Sequence, residues 1–404
     1  MAHEISSEAA GAQVYGEQLA GIDQAIRKTT YWVALLGMAI LFVVGVAAGI
    51  HAKSIGSLHA FNATREVPWG ILISTYVYLV VVADGVCLVS SIGHVFGRKD
   101  FVPLASRSVF LAVATLLGGF FVIFFDIENP FRMAIYNVIS PNLTSAIWWM
   151  GTLYGALMFF MGVEFVFLLK GKHKLATAAG FLGVIAGVAA LSNLGAVFGS
   201  LDGRDFWYGP FMPIFFIASA MMSGAAAIIF FTLLAYKLSN RKMEPAMKRA
   251  LEVTAKVGIL LIVTTLFFTL WKLIIGLTGG EAKTLALRSL LSGHYAVNFW
   301  ILEITVGMVI PLVLLVLSKG RSLWLMAVAA TLMMFGIFFM RYDMVIVGQT
   351  VPVQFQLGVS EYAGLISYAP STHEILISLG GIGLAGLIFL AGEKIFKGHK
   401  SETH

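Results

Sequence analysis

Cysteine is almost missing from this chain of 404 residues, where Cys87 is the only one. That excludes disulfides, a thiolate-held iron–sulfur cluster and covalent c-type haem within the polypeptide. Charge is scarce too: Asp, Glu, Lys and Arg make up 12% of the residues, against roughly 25% in soluble domains. Histidine is sparse and poorly placed. His51, His294 and His373 lie near the ends of apolar runs on one side and His94 near an end on the other, so no pair sits mid-span to clamp haem b. The chain also carries no phosphate-binding loop, no nucleophile–base motif and no polar stretch large enough for a soluble domain. The first 29 residues are polar and mixed in charge, and the first apolar run is too long and too late for a cleavable signal peptide.

What the chain does contain is apolar sequence. Hydrophobic residues make up 59% of it, and the mean hydropathy is +0.88. Ten runs are long enough to cross a bilayer as helices, at 30–50, 69–94, 104–125, 146–169, 174–198, 210–236, 253–277, 294–317, 322–346 and 373–396. The predicted fold is therefore all-α, a polytopic membrane protein with about ten transmembrane helices. The net charge of +6 sits in short loops, so the partner it implies is the lipid bilayer and not nucleic acid. With the N-terminus inside, 19 lysines and arginines fall on the inner side and 8 on the outer. The positive-inside rule then predicts cytoplasmic termini.

A weak internal repeat organises the middle of the chain. The elbow Gly97-Arg98-Lys99, with Pro103 and Arg107 after it, returns as Asn240-Arg241-Lys242 with Pro245 and Arg249. Trp148-Trp149 is echoed by Phe299-Trp300. Both pairs lie four helices apart, which predicts two parallel-repeat four-helix bundles with two helices added outside. The expected divisions are a cytoplasmic tail at 1–29, the first helix and outer loop at 30–67, bundles at 68–200 and 201–350, and the last loop, helix and tail at 351–404.

Acids inside these runs mark functional candidates, because a charged side chain at the bilayer centre costs about 2.5–3.5 kcal/mol on insertion scales. Asp84, Glu164 and Glu303 are the candidates, with Asp84 and Glu164 expected in the inner half and Glu303 near mid-membrane. Together they suit a proton path. For Glu164, snorkelling toward the inner interface beside Lys170 is the competing structural account. On the outer side Asp126, Glu128 and Arg132 end the third run, Ser192-Asn193 ends the fifth, Arg341-Tyr342-Asp343 ends the ninth, and Tyr368 to Glu374 opens the tenth. Trp69, Trp148, Trp149, Trp207 and Tyr208 stand at the same level. An aromatic belt accounts for part of this. An apolar cleft with flat rings and a few donors and acids is also what a quinone headgroup needs.

These residues resemble a known family. The stretch Tyr76-Val-Tyr…Asp84-Gly85…Ser90-Ser91-Ile-Gly-His94, then Asp126-Ile-Glu-Asn-Pro-Phe-Arg132, is similar to the NrfD/PsrC family of quinone-reactive membrane subunits in polysulfide reductase-like respiratory complexes. Asn142 to Gly151, Asn193 to Gly199, Arg341 to Gln349 and Tyr368 to Glu374 extend the likeness across most of the chain. The length resembles the longer ten-helix branch, which includes membrane subunits of hydrogenase-2 and alternative complex III, and is nearest the DsrP-like members of sulfur metabolism. The resemblance implies menaquinone or another quinone, an outer pocket in the first bundle, and an extracytoplasmic iron–sulfur (ferredoxin-like) subunit with further redox subunits. It also implies the inner membrane of a prokaryote as the location.

The expected function is that of a quinone/quinol-reactive subunit of a multi-subunit oxidoreductase, not an enzyme on its own, with no haem or iron–sulfur cluster within this chain. Asp126 and Asp84 are the candidate catalytic acids, Trp69, Trp149, Asn193 and Arg132 the candidate quinone-binding residues, and Asp84, Glu164 and Glu303 the candidate proton path. No metal ligands are assigned. Where the family's pattern after the third helix has Gly-Arg, this chain has Glu128-Asn129, and Asp84 stands where several long-branch members have histidine. A secondary transporter with midplane acids is the alternative, and against it no pair of interrupted helices appears at matching places in the two halves.

Overall fold

The structure is a computed structural model that describes residues 29–239, 242–355 and 364–396. Arg27, Lys28, Arg241, Lys397 and Lys400, which enter the charge tally, lie outside the described residues. Among the described residues, ten helices are long and apolar enough to span a membrane: α1 Thr29–Ile55, α2 Ile71–His94, α3 Ala105–Asp126, α4 Ala146–Leu169, α5 His173–Gly199, α6 Phe211–Ser239, α7 Pro245–Leu277, α8 Asn298–Leu317, α9 Leu323–Val347 and α10 Thr372–Phe396. The protein is a multi-pass, all-helical membrane protein. Below, the near face is the one at which α1 begins and the far face the one at which it ends.

Local chemistry explains most of the boundaries. Ser145 and Ser322 cap α4 and α9, their hydroxyls accepting from the amides of Trp148 and Leu325. Pro245 starts α7, where a missing amide costs nothing. That start lies eight residues before the expected one, because the polar turn carrying Lys248 and Arg249 is already helical. The near-face turn after α2 closes at Gly97, whose φ of 75° suits glycine. In α8 the stretch Asn298–Val309 is wound as a π-helix, and the Thr305 hydroxyl reaches back five residues to the Trp300 carbonyl at 2.7 Å.

Helices α2–α5 close into one four-helix bundle, since α2 packs on α3 and α5 while α4 packs on the same two. Helices α6–α9 repeat that pattern. The bundles meet where α2 packs on α6, flanked by α5 on α6 and by α9 on α2. Each also has a short surface helix between its second and third spans, Pro130–Ile139 and Glu281–Leu291. Helix α10 pairs with α1 and lies against α3 and α2. Consequently α2 is the most enclosed span: 89% of its apolar stretch is buried, against 17% for α1.

Close approach at the central crossing requires glycine. A side chain on Gly85 would strike the Ala220 carbonyl, and one on Gly224 would strike the Gly85 backbone. Two of the cations counted as loop charges are in fact inside the fold. Arg107, on the near-face end of α3, is 2% exposed and forms a fork with Glu393 of α10 at 2.6 and 3.2 Å. Arg341 of α9 is fully buried. Both are tolerated there because carboxylates from neighbouring helices face them.

The crossing gives a test. Gly224→Val should lower the melting temperature of the purified protein by an amount reflecting at least the usual overpacking cost of about 1–3 kcal/mol. Gly162→Ala on α4, with open space around the added carbon, should leave it unchanged. Equal melting temperatures for the two variants in detergent would contradict this packing.

Candidate functional site

The first bundle encloses a cavity of about 270 Å³ near the far face, just under the roughly 300 Å³ at which small-ligand clefts begin. Trp69, Phe120 and Phe198 supply flat walls, Ile73, Ile123, Ile147, Met150 and Leu194 fill between them, and Asp126 stands at the end of α3. Tyr76 and Tyr154 line it from α2 and α4. At 1.5 Å per residue, Tyr154 lies about 12 Å below the start of α4. The cavity therefore runs from an acid near the surface to a phenol well inside the bilayer.

Its aromatic wall is fixed from the second bundle. The Gln349 side chain, just past α9, accepts from the Trp69 amide at 3.0 Å and donates to the Trp69 carbonyl at 2.8 Å. Trp69 then packs against Phe198 and Trp207 with ring centres 5.2 and 5.4 Å apart, and the Trp207 indole donates to the Met344 carbonyl. Arg204 binds the carbonyls of Gln349, Val351 and Glu66. Burial lowers the pKa of this guanidinium, and Glu66 opposes the shift. Tyr368 accepts from the first amide of α2, that of Ile71, and donates to Glu374 at 2.6 Å. Burial first, and that bond second, push its phenol well above the ordinary range, so it keeps its proton.

Below the cavity lies a second layer of polar groups. The Tyr154 hydroxyl donates to Asp84 at 2.9 Å, and both residues are essentially inaccessible. The other Asp84 oxygen has no hydrogen-bond partner among the described residues. One turn further along α2, Cys87 interacts electrostatically with both Asp84 and Glu164. On the other side, Arg341 interacts with Tyr154 and with Glu303, and donates to the Ser219 hydroxyl at 2.8 Å. Asp343 accepts from Asn298 at 3.2 Å and interacts with Glu303 and Lys272. Arg341 thus couples buried groups of the two bundles electrostatically, with no hydrogen bond to Tyr154 or Glu303 among the described residues.

The predicted residues distribute unevenly over this geometry. Trp69 and Asp126 line the cavity. Trp149, Asn193 and Arg132 do not. The Trp149 indole donates to the Leu143 carbonyl and, with Trp148, anchors the turn and surface helix before α4, while Met150 and Gly151 on the next positions face the cavity. Asn193 binds the Ala146 carbonyl, leaving Leu194 and Val197 to the cavity. Arg132 is exposed with its guanidinium over Tyr136, and its neighbour Met133 points inward. Asp84 sits behind Tyr154. Glu164 is 1% exposed, which corrects the expectation of snorkelling. Glu303 lies only five residues into α8, nearer the far face than mid-membrane, in the second bundle and away from the other two acids. Tyr76, Tyr154 and Arg341 were not singled out from the sequence as membrane-depth groups. The available signal was tyrosine placed well inside an apolar run, where an interfacial belt does not put it.

A family model described as Polysulphide reductase, NrfD matches residues 59–353. The chain belongs to the NrfD family. Its similarity extends to a selenate reductase subunit of Mesobacillus selenatarsenatis, 24% identical over 90% of this chain and 92% of that protein. The Hdr-like menaquinol oxidoreductase integral membrane subunit of Archaeoglobus fulgidus is 24% identical over 89% and 92%. A putative dimethyl sulfoxide reductase membrane subunit of Halobacterium salinarum is 26% identical over 89% of each. The matched segment spans both bundles and includes all the cavity-lining residues, so the site lies within the part of the chain that defines the NrfD family.

The Tyr154–Asp84 bond makes a stability prediction. Tyr154→Phe leaves a buried carboxyl without its donor and should cost about 1–3 kcal/mol. Adding Asp84→Leu should recover part of that loss, because no polar group is then left unpaired. Thermal unfolding of the two variants in the same detergent checks this, and a double variant less stable than Tyr154→Phe alone would contradict the pairing.

Proposed function

We propose that this NrfD-family protein is the quinone/quinol-reactive membrane subunit of a respiratory oxidoreductase, with the first-bundle cavity as the headgroup site. The observation that carries the reading is the cavity's composition: apolar and aromatic walls, one carboxyl near the far face, and a phenol at depth bonded to a second carboxyl. A quinone supplies reversible two-electron, two-proton chemistry. The walls of Trp69, Phe120 and Phe198 would hold its ring and keep water out. Asp126 would take or give a proton at the far-face end, where Lys53 and Glu374 surround it electrostatically. Tyr154 would present its oxygen at the deep end, backed by Asp84.

The relative named as a menaquinol oxidoreductase subunit supports menaquinone as the quinone. In this reading the far face is extracytoplasmic and docks an iron–sulfur subunit that exchanges the two electrons. The membrane is the inner membrane of a prokaryote, with both termini cytoplasmic. Asp84, Cys87 and Glu164 descend toward the near face and suit proton delivery from that side, while Arg341 interacts with both Tyr154 and Glu303. The π-wound stretch of α8 has no counterpart in α4, which is regular throughout, so a transporter's paired broken helices receive no support.

Two measurements test this. In the assembled complex, Asp126→Asn should reduce quinol-coupled turnover about 100-fold, the usual scale of a lost acid–base group, and weaken the titration of a quinone-analogue inhibitor. Unchanged turnover would overturn the site. In liposomes, Asp84→Asn should slow proton release or uptake coupled to turnover, whereas Lys248→Gln on the near-face surface should not. Identical proton traces for Asp84→Asn and wild type would end the proton-path part of the proposal.

A further inference from the structure

The second bundle carries its own far-face cavity, also about 270 Å³, bounded by the segment Phe206–Pro210, the start of α6, the end of α7 and the surface helix Glu281–Leu291. It shares with the first cavity the start of the bundle's first helix, the end of its second and the surface helix, without lining from α8 or α9, and its chemistry is inverted. Where the first has Asp126 at the end of its second helix, this one has Lys272 near the end of α7, joined by Lys283. No carboxylate is among its described lining residues.

The surroundings of the two ammonium groups narrow the ligand. Lys272 lies 5.5 and 5.9 Å from the ring centres of Phe215 and Phe299, and interacts with Glu303 and Asp343 on its inner side. The stem of Lys283 rests against Gly279. Of the nearby acids, Asp202 is bonded to the Tyr208 phenol, and Glu281 is exposed at the start of the surface helix. The cavity also opens sideways. Ile275 both lines it and is 40% exposed, and Ile214, Trp271 and Ile274 extend an exposed apolar strip beside it on α6 and α7. A ligand that fits has a negative head at the level of the interface and a hydrocarbon part lying along the helices.

We propose that this cavity is a binding site for an anionic phospholipid, whose phosphate lies between Lys272 and Lys283 and whose acyl chains pass over Ile275 and Trp271 into the bilayer. Basic pockets between spans hold lipid phosphates in this way. Trp207, which forms part of this cavity, also packs on Trp69 of the first one, so a lipid seated here would brace the indole that backs the wall of the first cavity.

The test uses the full complex purified in mild detergent. Bound phospholipid is quantified by mass spectrometry, and thermal shifts are measured in nanodiscs of phosphatidylcholine with or without phosphatidylglycerol. Wild type should retain phosphatidylglycerol in preference to phosphatidylcholine. Lys283→Gln should weaken that retention about fivefold, the equivalent of one lysine's attraction to an anionic lipid, and Lys256→Gln on the exposed near-face surface should leave it intact. Equal retention of the two lipids would overturn the proposal, as would a Lys283→Gln variant indistinguishable from wild type. Saturation of the site by inorganic phosphate alone, or a quinone recovered in place of the lipid, would overturn it as well.

Discussion

Asp84, at the centre of the protein, takes its side-chain hydrogen bond from Tyr154. An acid on the most enclosed helix of a membrane protein faces a solvation penalty that lipid cannot relieve. Helix α2 therefore has to run through the middle of the assembly, with α4 close enough to bring a phenol to the carboxyl. That single bond at 2.9 Å ties the order of the first bundle to the position of a cavity, since the same Tyr154 that bonds Asp84 also lines the cavity. The glycines on the opposite side of α2 serve the same arrangement. Gly85, immediately after Asp84, lets α6 approach backbone to backbone, so α2 is covered on the side that α4 does not reach.

The two bundles share a packing plan and differ in what they bury. In the first, the polar residues at depth are acids and phenols: Asp84, Glu164, Tyr76 and Tyr154. In the second they are a guanidinium with its acids: Arg341, Glu303 and Asp343. Neither set is self-contained electrostatically. Arg341 interacts with Tyr154 across the interface as well as with Glu303 beside it, so the guanidinium of the second bundle faces a phenol of the first as well as an acid of its own. This gives a physical reason for the bundles to stay together, and for α2 and α9 to be in contact near Arg341.

Ten spans and their approximate ends were legible in the chain because apolar length is a strong signal and short loops leave little room for error. Asp126 and Trp69 were legible for a similar reason, as residues that stop or start a run in a polar-aromatic context. Trp149, Asn193 and Arg132 show where that reasoning ends. Each sits at the right level of the membrane, but a helix turns about 100° per residue, and level says nothing about azimuth. Met150, Leu194 and Met133, one position along, face the cavity instead. Glu303 was misplaced in depth because the residues before α8 form a turn before the helix starts. Arg341 was read as a loop cation because it falls near the end of a run. Its burial depends on Ser219, Tyr154 and Glu303, which come from three other helices and leave no mark near residue 341.

The far-face cover adds a constraint that neither bundle could supply alone. Trp69 belongs to the first cavity, but both of its backbone hydrogen bonds in the connection before α2 go to Gln349, beyond the end of α9. Gln349 and Val351 are in turn held through their carbonyls by Arg204, from the connection between the bundles. A shift of α9 along its axis, where Arg341 and Asp343 sit, would therefore move Gln349 and with it the indole that walls the cavity. Gln349 thus joins the end of α9, the helix that carries Arg341 and Asp343, to the indole that walls the first cavity.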